Sequence, residues 1–227
     1  MKPIIITIDG VAASGKGTIA KYIEKQFNFL HIDSGLFYRK ITKILTDEKI
    51  NIKNNDKIIS FIKNNKIIEY EDKKYLRSPF ISKKTSEIAK IKKIRDLINL
   101  NQRRLVRINI KKYKGFVIDG RDIGSIVFKK ADIKIYIDTN QKIRAKRRYK
   151  ELIERGERTI YSKVLNEIKH RDEKDKKRKN SPLVVPKNAI IIDNSCKLSQ
   201  TKKLIKSLIN KKLFNKIWAW QPILKII

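Results

Sequence analysis

The tightest constraint on the fold lies near the start of the chain. There Gly10-Val11-Ala12-Ala13-Ser14-Gly15-Lys16-Gly17-Thr18 stands between an apolar run, Ile4 to Ile8, and a stretch with Ile19, Tyr22, Ile23 and Phe27 at helical spacing. The order reads as strand, glycine-bracketed loop and helix in immediate succession. Glycines let such a loop turn so that successive N–H groups point inward, the helix N-terminus adds partial positive charge, and Lys16 can reach β- and γ-phosphates. A loop of this kind can hold a triphosphate. Gly17 occupies the position where a hydroxyl usually follows the lysine, and Thr18 comes one residue later, turned by about 100° around a helix. Direct magnesium ligation by Thr18 is therefore not expected. Phosphates and water would hold the ion instead, with an acidic residue behind the waters.

Further along, a short strand near 29–33 leads into a helical stretch with Phe37, Ile41 and Ile44, and Gly115 precedes the apolar run Phe116-Val117-Ile118. Strands at 133–137 and 189–193 follow, with helices at about 86–112, 141–155, 160–176 and 198–213. Five apolar strands alternating with helices predict an α/β fold, a five-stranded parallel sheet with helices on both faces and right-handed crossovers. Residues 48–85 differ in composition, with Asn/Lys-rich turns, a short helix near 56–64 and a hairpin in which 67–71 and 74–77 flank Asp72-Lys73. They read as an insertion. A single domain over 1–213 is expected, followed by an apolar tail, 214–227, whose two tryptophans are expected to pack back on the body.

At 227 residues with 41% apolar side chains the chain can bury a sizeable core, and the lone Cys196 excludes an intramolecular disulfide and a Cys-based zinc site. His31 and His170 lack metal-ligand spacing and read as structural or surface residues. No run resembles a signal peptide or reaches the ~18 apolar residues a membrane helix needs, so a cytoplasmic protein without membrane association is expected. The net charge of +33 attracts polyanions of any kind. Residues 141–180 carry 16 Lys or Arg against 7 Asp or Glu, but their only aromatics are Tyr149 and Tyr161, unlike the aromatic-interleaved face of a nucleic-acid module. A solvated lysine-rich surface is the favoured reading, and a nucleotide-switched RNA-binding protein the alternative.

Two further sequences stand at carboxyl ends of predicted strands, where open α/β sheets bind ligands: Asp33-Ser34-Gly35-Leu36-Phe37-Tyr38-Arg39 and Asp119-Gly120-Arg121-Asp122-Ile123-Gly124. Arg171, Asp175 and Arg178 share one helix face if the helix persists that far. With the Gly-Lys-Gly-Thr loop ending, Arg77-Ser78-Pro79, and Arg171-Asp172 through Pro182-Leu183, these residues resemble bacterial cytidylate kinase, in order and spacing, up to about residue 210. The resemblance implies a phosphate-loop kinase that transfers the γ-phosphoryl group of ATP, with Mg2+, to CMP or dCMP. A kinase of another small acceptor such as UMP is the nearest rival. It implies an ATP site over Gly10–Thr18 and a CMP site from Ser34, Arg39, Ser86, Arg95, Arg121, Asp122, Arg171, Asp175 and Arg178. Lys16, Asp122, Arg144 and Arg148 take catalytic places, with Arg147 beside the last two. An acceptor-binding insert over about 48–95 and a lid over about 144–180 also follow, and a monomer acting on free nucleotides is expected. The sequence does not divide the tasks of base and sugar recognition between the carboxylates.

Overall fold

Alternating isoleucines build the central strand of the computed structural model, which describes residues 2–51, 58–60, 76 and 78–218. Strand β1 (Ile4–Gly10) buries Ile4, Ile6 and Ile8 on one face, at most 2% exposed. It lies between β3 (Gly115–Asp119) and β4 (Ile133–Asp138), while β2 (Leu30–Asp33) and β5 (Ile190–Asp193) take the edges. All pairings are parallel, as the alternation of strands and helices predicts, and the order is β2-β3-β1-β4-β5.

Opposite faces of the sheet are covered by different helices. Val117, Ile135 and the inward isoleucines of β1 pack with Ile19 and Ile23 of α1 (Lys16–Phe27) and with Ile205 and Ile209 of the last helix. Phe116 and Ile118, one residue out of phase, pack on the other side with Ile32, Val106, Ile123 and Val127. The period-two register of β3 thus divides two cores at a single layer of backbone.

Helix α2 (Ser34–Asp47) is capped by Asp33, whose carboxylate accepts the Leu36 N–H at 3.0 Å. One helix was expected over 86–112, but two form, α3 (Pro79–Ile88) and α4 (Lys92–Ile108). The break has a local cause. Ser78 caps α3 with Pro79 in its first turn, Lys90 and Ile91 bond back only three residues, and the Arg95 guanidinium donates to Ala89 O at 2.9 Å at the end of α3. Apolar periodicity runs through the break because Ile88, Ile94 and Ile98 share one cluster with Tyr38, Ile41, Leu45 and Ile58. Of the helix expected near 56–64, residues 58–60 are described and are helical, while the hairpin expected at 67–77 lies outside the described residues apart from Leu76.

After β3 the chain makes a five-residue π-helical turn, Ile123–Val127, which the sequence pattern did not suggest. Helices α5 (Gln141–Glu154) and α6 (Tyr161–Lys177) pack through Ala145, Leu152, Val164 and Ile168. The final helix, α7 (Leu198–Trp218), runs five residues past the expected end at 213, since Phe214-Asn215-Lys216-Ile217 holds no helix breaker. The rest of the tail lies outside the described residues. Among the described residues no helix is long and apolar enough to cross a membrane.

Candidate nucleotide-binding site

The loop Gly10–Thr18 leaves the carboxyl end of β1 and opens α1, with Gly15 at the helix N-cap in the left-handed region, φ 91°. Two of its glycines are required. A Cβ on Gly10, φ 149°, would stand 2.2 Å from Ile137 O, and one on Gly15 would meet the Asn194 amide at 2.5 Å. Val11 and Ala12 are buried, Ala13 is exposed with a positive φ of 55°, and Ser14 is fully buried. Lys16, 6% exposed, folds over the loop and donates to Val11 O at 2.7 Å and Ser14 Oγ at 3.3 Å. Burial, with the Arg121 and Arg171 charges, holds its pKa well below the ordinary lysine value, against the pull of Asp119 and Asp175. Thr18 is exposed.

Main-chain groups of the loop are gripped from behind by side chains the sequence reading had not assigned there. Asn194 Nδ2 and Thr139 Oγ1 both donate to Ser14 O, at 2.9 and 3.1 Å, and Thr201 fixes the Asn194 amide. The resemblance gives Arg144 a catalytic place on the arginine-bearing helix that borders the lid. In the structure its donors go to Ala12 O at 3.0 Å, Thr139 O at 2.9 Å and Asp172 at 2.7 Å, and Asp172 in turn accepts from Ala12 N. Both side chains are under 10% exposed, so Arg144 is a strut beneath the loop. Arg148 and Arg147 stay at the surface side of α5, paired with Glu151 and with Cys196 O respectively.

A second cluster of charge faces the loop across the same sheet edge. Arg95 pairs with Asp122 at 2.5 Å, both almost fully buried, and Arg121 pairs with Asp175 at 2.8 Å. Arg178 lies just past the end of α6, as its C-cap, so the shared helix face ends at Lys177. It still reaches Asp175 at 3.7 Å and Asp122 at 4.0 Å, and its Nε donates to Ser181 O. Desolvation and the nearby Arg121 and Arg148 charges lower Arg171 to about 10. Burial works against the Asp175 charge, but Arg121, Arg171 and Arg178 outweigh it and hold the carboxyl below its ordinary range. Four arginines gather around two carboxylates, which leaves net positive charge able to attract an anion. The Tyr38 ring lies 5.5 Å from the Arg95 guanidinium, and burial raises its hydroxyl pKa.

Ser34 is buried beside this cluster and accepts from Gln102 Nε2 at 3.1 Å. Arg39 and Ser86 sit farther out. Arg39 donates to Leu76 O and Ser82 Oγ, each at 2.8 Å, and Ser86, on the short helix α3, donates to Ser82 O at 3.1 Å. Asp33 and Asp119 end β2 and β3 in register, and a Cβ on Gly17 would lie 3.8 Å from Asp119 Oδ2. His31 Nε2 lies 2.8 Å from Asp119, with Glu24 3.9 Å from its other nitrogen. Burial opposes the charged ring, but Asp119, Asp33 and Glu24 outweigh it and raise its pKa. Among the described residues no group of three or more His, Cys, Asp or Glu could hold a metal ion. A cavity of about 600 Å³ opens from Val11 between the carboxyl ends of β4 and β5 and α6, lined by Asp138, Asn140, Lys169, Glu173 and Ser195.

A lysine-bearing loop that offers amides to one phosphate chain, faced by arginines that can hold another, is how a phosphotransferase working between two phosphorylated molecules would be built. The fold and the site therefore define the phosphate-loop kinases. The sequence model of one family, described as cytidylate kinase, matches residues 6–212. A cytidylate kinase of Bartonella bacilliformis is 39% identical over 195 residues, covering 86% of this chain and 88% of its own, and one of Fusobacterium nucleatum is 40% identical over 205 residues, covering 86% and 91%. Among solved structures, a shikimate kinase from Bacteroides thetaiotaomicron aligns with a TM-score of 0.45 at 10% identity, over 91% of this chain and 98% of that one. The chain belongs to the cytidylate kinase family.

Proposed function

We propose that the protein transfers the γ-phosphoryl group of ATP to CMP or dCMP, giving ADP and CDP or dCDP. The observation that carries this reading is the pairing of Arg95 with Asp122 and of Arg121 with Asp175 at the sheet edge facing Lys16. Arginines there can take the acceptor phosphate bidentately, and carboxylates can accept from the exocyclic amine of cytosine, which uracil lacks. Ser34, Arg39, Ser86, Arg95, Arg121, Asp122, Arg171, Asp175 and Arg178 form the acceptor side, Ser86 and Arg39 through the insert at about 48–95. Gly10 to Thr18 form the donor side, and the 600 Å³ cavity beside Val11 suits the rest of the donor nucleotide.

The acceptor phosphate oxygen attacks the γ-phosphorus in line. One O–P bond forms as the bond to the β–γ bridging oxygen breaks, and that oxygen leaves on ADP. The attacking phosphate is already ionised near neutral pH, so no side chain need remove a proton. Catalysis rests on position and on charge neutralisation by Lys16, Arg171 and the half-buried Arg148 as the lid, about 144–180, closes and excludes water. Arg144 contributes by holding the loop. The donor set suits magnesium, which keeps several waters and shares phosphate oxygens: Gly17 offers no side-chain ligand, and Asp119 stands close enough to the loop to hold its waters. Bound there, the ion would neutralise phosphate charge. The protein acts on free nucleotides as a cytoplasmic monomer.

A coupled assay of ADP release with CMP, dCMP, UMP, AMP and GMP offered separately tests the reading. Turnover concentrated on CMP and dCMP is expected, and a preference for AMP or UMP would refute the acceptor assignment.

A further inference from the structure

The π-helical turn Ile123–Val127 is too short to hold itself, since a helix of one turn fixes several residues for very few hydrogen bonds. Its internal bonds are Val127 N to Asp122 O at 3.2 Å and Phe128 N to Ile123 O at 2.7 Å, with Ile126 N to Asp122 O at 2.9 Å. Like any helix it leaves its first N–H groups and its last carbonyls without internal partners. Two charged side chains from distant elements meet those groups. Asp9, on β1 and fully buried, accepts the N–H of Ile123 through Oδ1 and that of Gly124 through Oδ2, both at 2.7 Å. Arg103, exposed on α4, donates from Nε to Val127 O at 2.9 Å and from a terminal nitrogen to Ile126 O at 3.3 Å. Anion at the amino end and cation at the carboxyl end match the dipole of the turn.

Arg121 and Asp122 immediately precede this turn, and Asp122 itself adopts φ −143°, ψ 25°, outside the common backbone basins. Its pairing with Arg95 at 2.5 Å depends on where the turn begins. We propose that Asp9 and Arg103 are positioning residues that brace the turn from its two ends and so hold Arg121 and Asp122 in the acceptor site. Neither residue need touch a nucleotide. A buried carboxylate is costly, and burial does push Asp9 up to about 6, helped by Asp122 and opposed by the two amides and Lys16. An isolated structural turn could be held by neutral groups at lower cost, whereas a charged brace at both ends holds the start of the turn firmly.

The inference rests on the acceptor-site reading above, and its test separates the two. Arg103→Met removes the carbonyl-side brace at an exposed position outside the phosphate loop; Asp9→Asn leaves one N–H of the turn facing an amide donor. KM for CMP and for ATP would be measured separately in each, with amide hydrogen exchange of Ile123 to Phe128 followed in the nucleotide-free proteins. In Arg103→Met the KM for CMP should rise roughly fivefold to tenfold, the net effect of losing the two partly exposed hydrogen bonds to Val127 O and Ile126 O, with KM for ATP within about twofold and partial rescue by Arg103→Lys. Exchange of the turn amides should accelerate in both variants. Unchanged exchange, or a KM rise shared equally by CMP and ATP in Arg103→Met, overturns the proposal. If the wild-type chain does not phosphorylate CMP, the functional reading fails, and the exchange measurement still decides the brace. Should Asp9→Asn not fold, Arg103→Met carries the test alone.

Discussion

Replacing Asp172 by Asn tests whether Arg144 is a strut or a mobile group of the lid. In the structure Asp172 is 8% exposed, pairs with Arg144 at 2.7 Å, and accepts the Ala12 N–H at 3.4 Å, while Arg144 also holds Ala12 O and Thr139 O. Removing one partner of a buried ion pair leaves an uncompensated charge and costs about 3–5 kcal/mol, and the amide retains one acceptor, so about 3 kcal/mol is the expected loss. For a chain of this length each kcal/mol corresponds to roughly 2–4 °C in Tm, which places the melting point about 6–12 °C below wild type in calorimetry or circular dichroism. Because the pair grips both polar atoms of Ala12, KM for ATP should rise more than KM for CMP. The double variant Asp172→Leu with Arg144→Met removes both charges and should melt closer to wild type than either single change, a coupling of about 1–3 kcal/mol. A Tm within about 2 °C of wild type for Asp172→Asn, together with a fall in kcat alone, would refute the strut and return Arg144 to the reacting groups.

Lys16→Ala should lower kcat/KM by roughly three orders of magnitude without loss of stability, since burial already disfavours the lysine charge; normal turnover would remove the loop from the mechanism. Gly10→Ala should destabilise the fold by roughly 2–4 kcal/mol in urea denaturation, because the new Cβ meets the Ile137 carbonyl at 2.2 Å, and an unchanged midpoint would contradict the packing. His31 has a raised pKa in the folded chain, so its stabilisation is fully present below the ordinary histidine pKa of 6.5 and is lost as pH rises through the folded value. The stability difference between wild type and His31→Gln should therefore shrink from about pH 5.5 to 8.5, and a difference that grows with pH would reverse the assignment to the Asp119 pair.

The sheet and its loop were legible because their signals are local. Ile4 to Ile8, the glycines of the loop and the period of α1 lie within the first 27 residues, and five apolar runs separated by helices admit few topologies. The cluster of arginines and carboxylates was legible as residues at strand ends but not as pairs: Arg95 meets Asp122 across 27 positions and Arg121 meets Asp175 across 54, distances over which spacing says nothing. The burial of Arg144 was not legible because helix position does not reveal it; it is set by the loop folding onto α5 from 132 residues away. Asn194 and Asp9 carried no sequence signal, since each acts on backbone atoms supplied by another element. The division of α3 from α4 was hidden by an apolar stripe that continues through both, and the π-helical turn by the absence of any period in five residues.

The most direct test of the central claim is 31P NMR of the products formed from ATP, Mg2+ and CMP by the purified chain. Phosphorus signals of ADP and CDP growing together, one for one, are the predicted result. ADP with inorganic phosphate and no CDP would show that the phosphate loop works without the acceptor site, and would contradict the account.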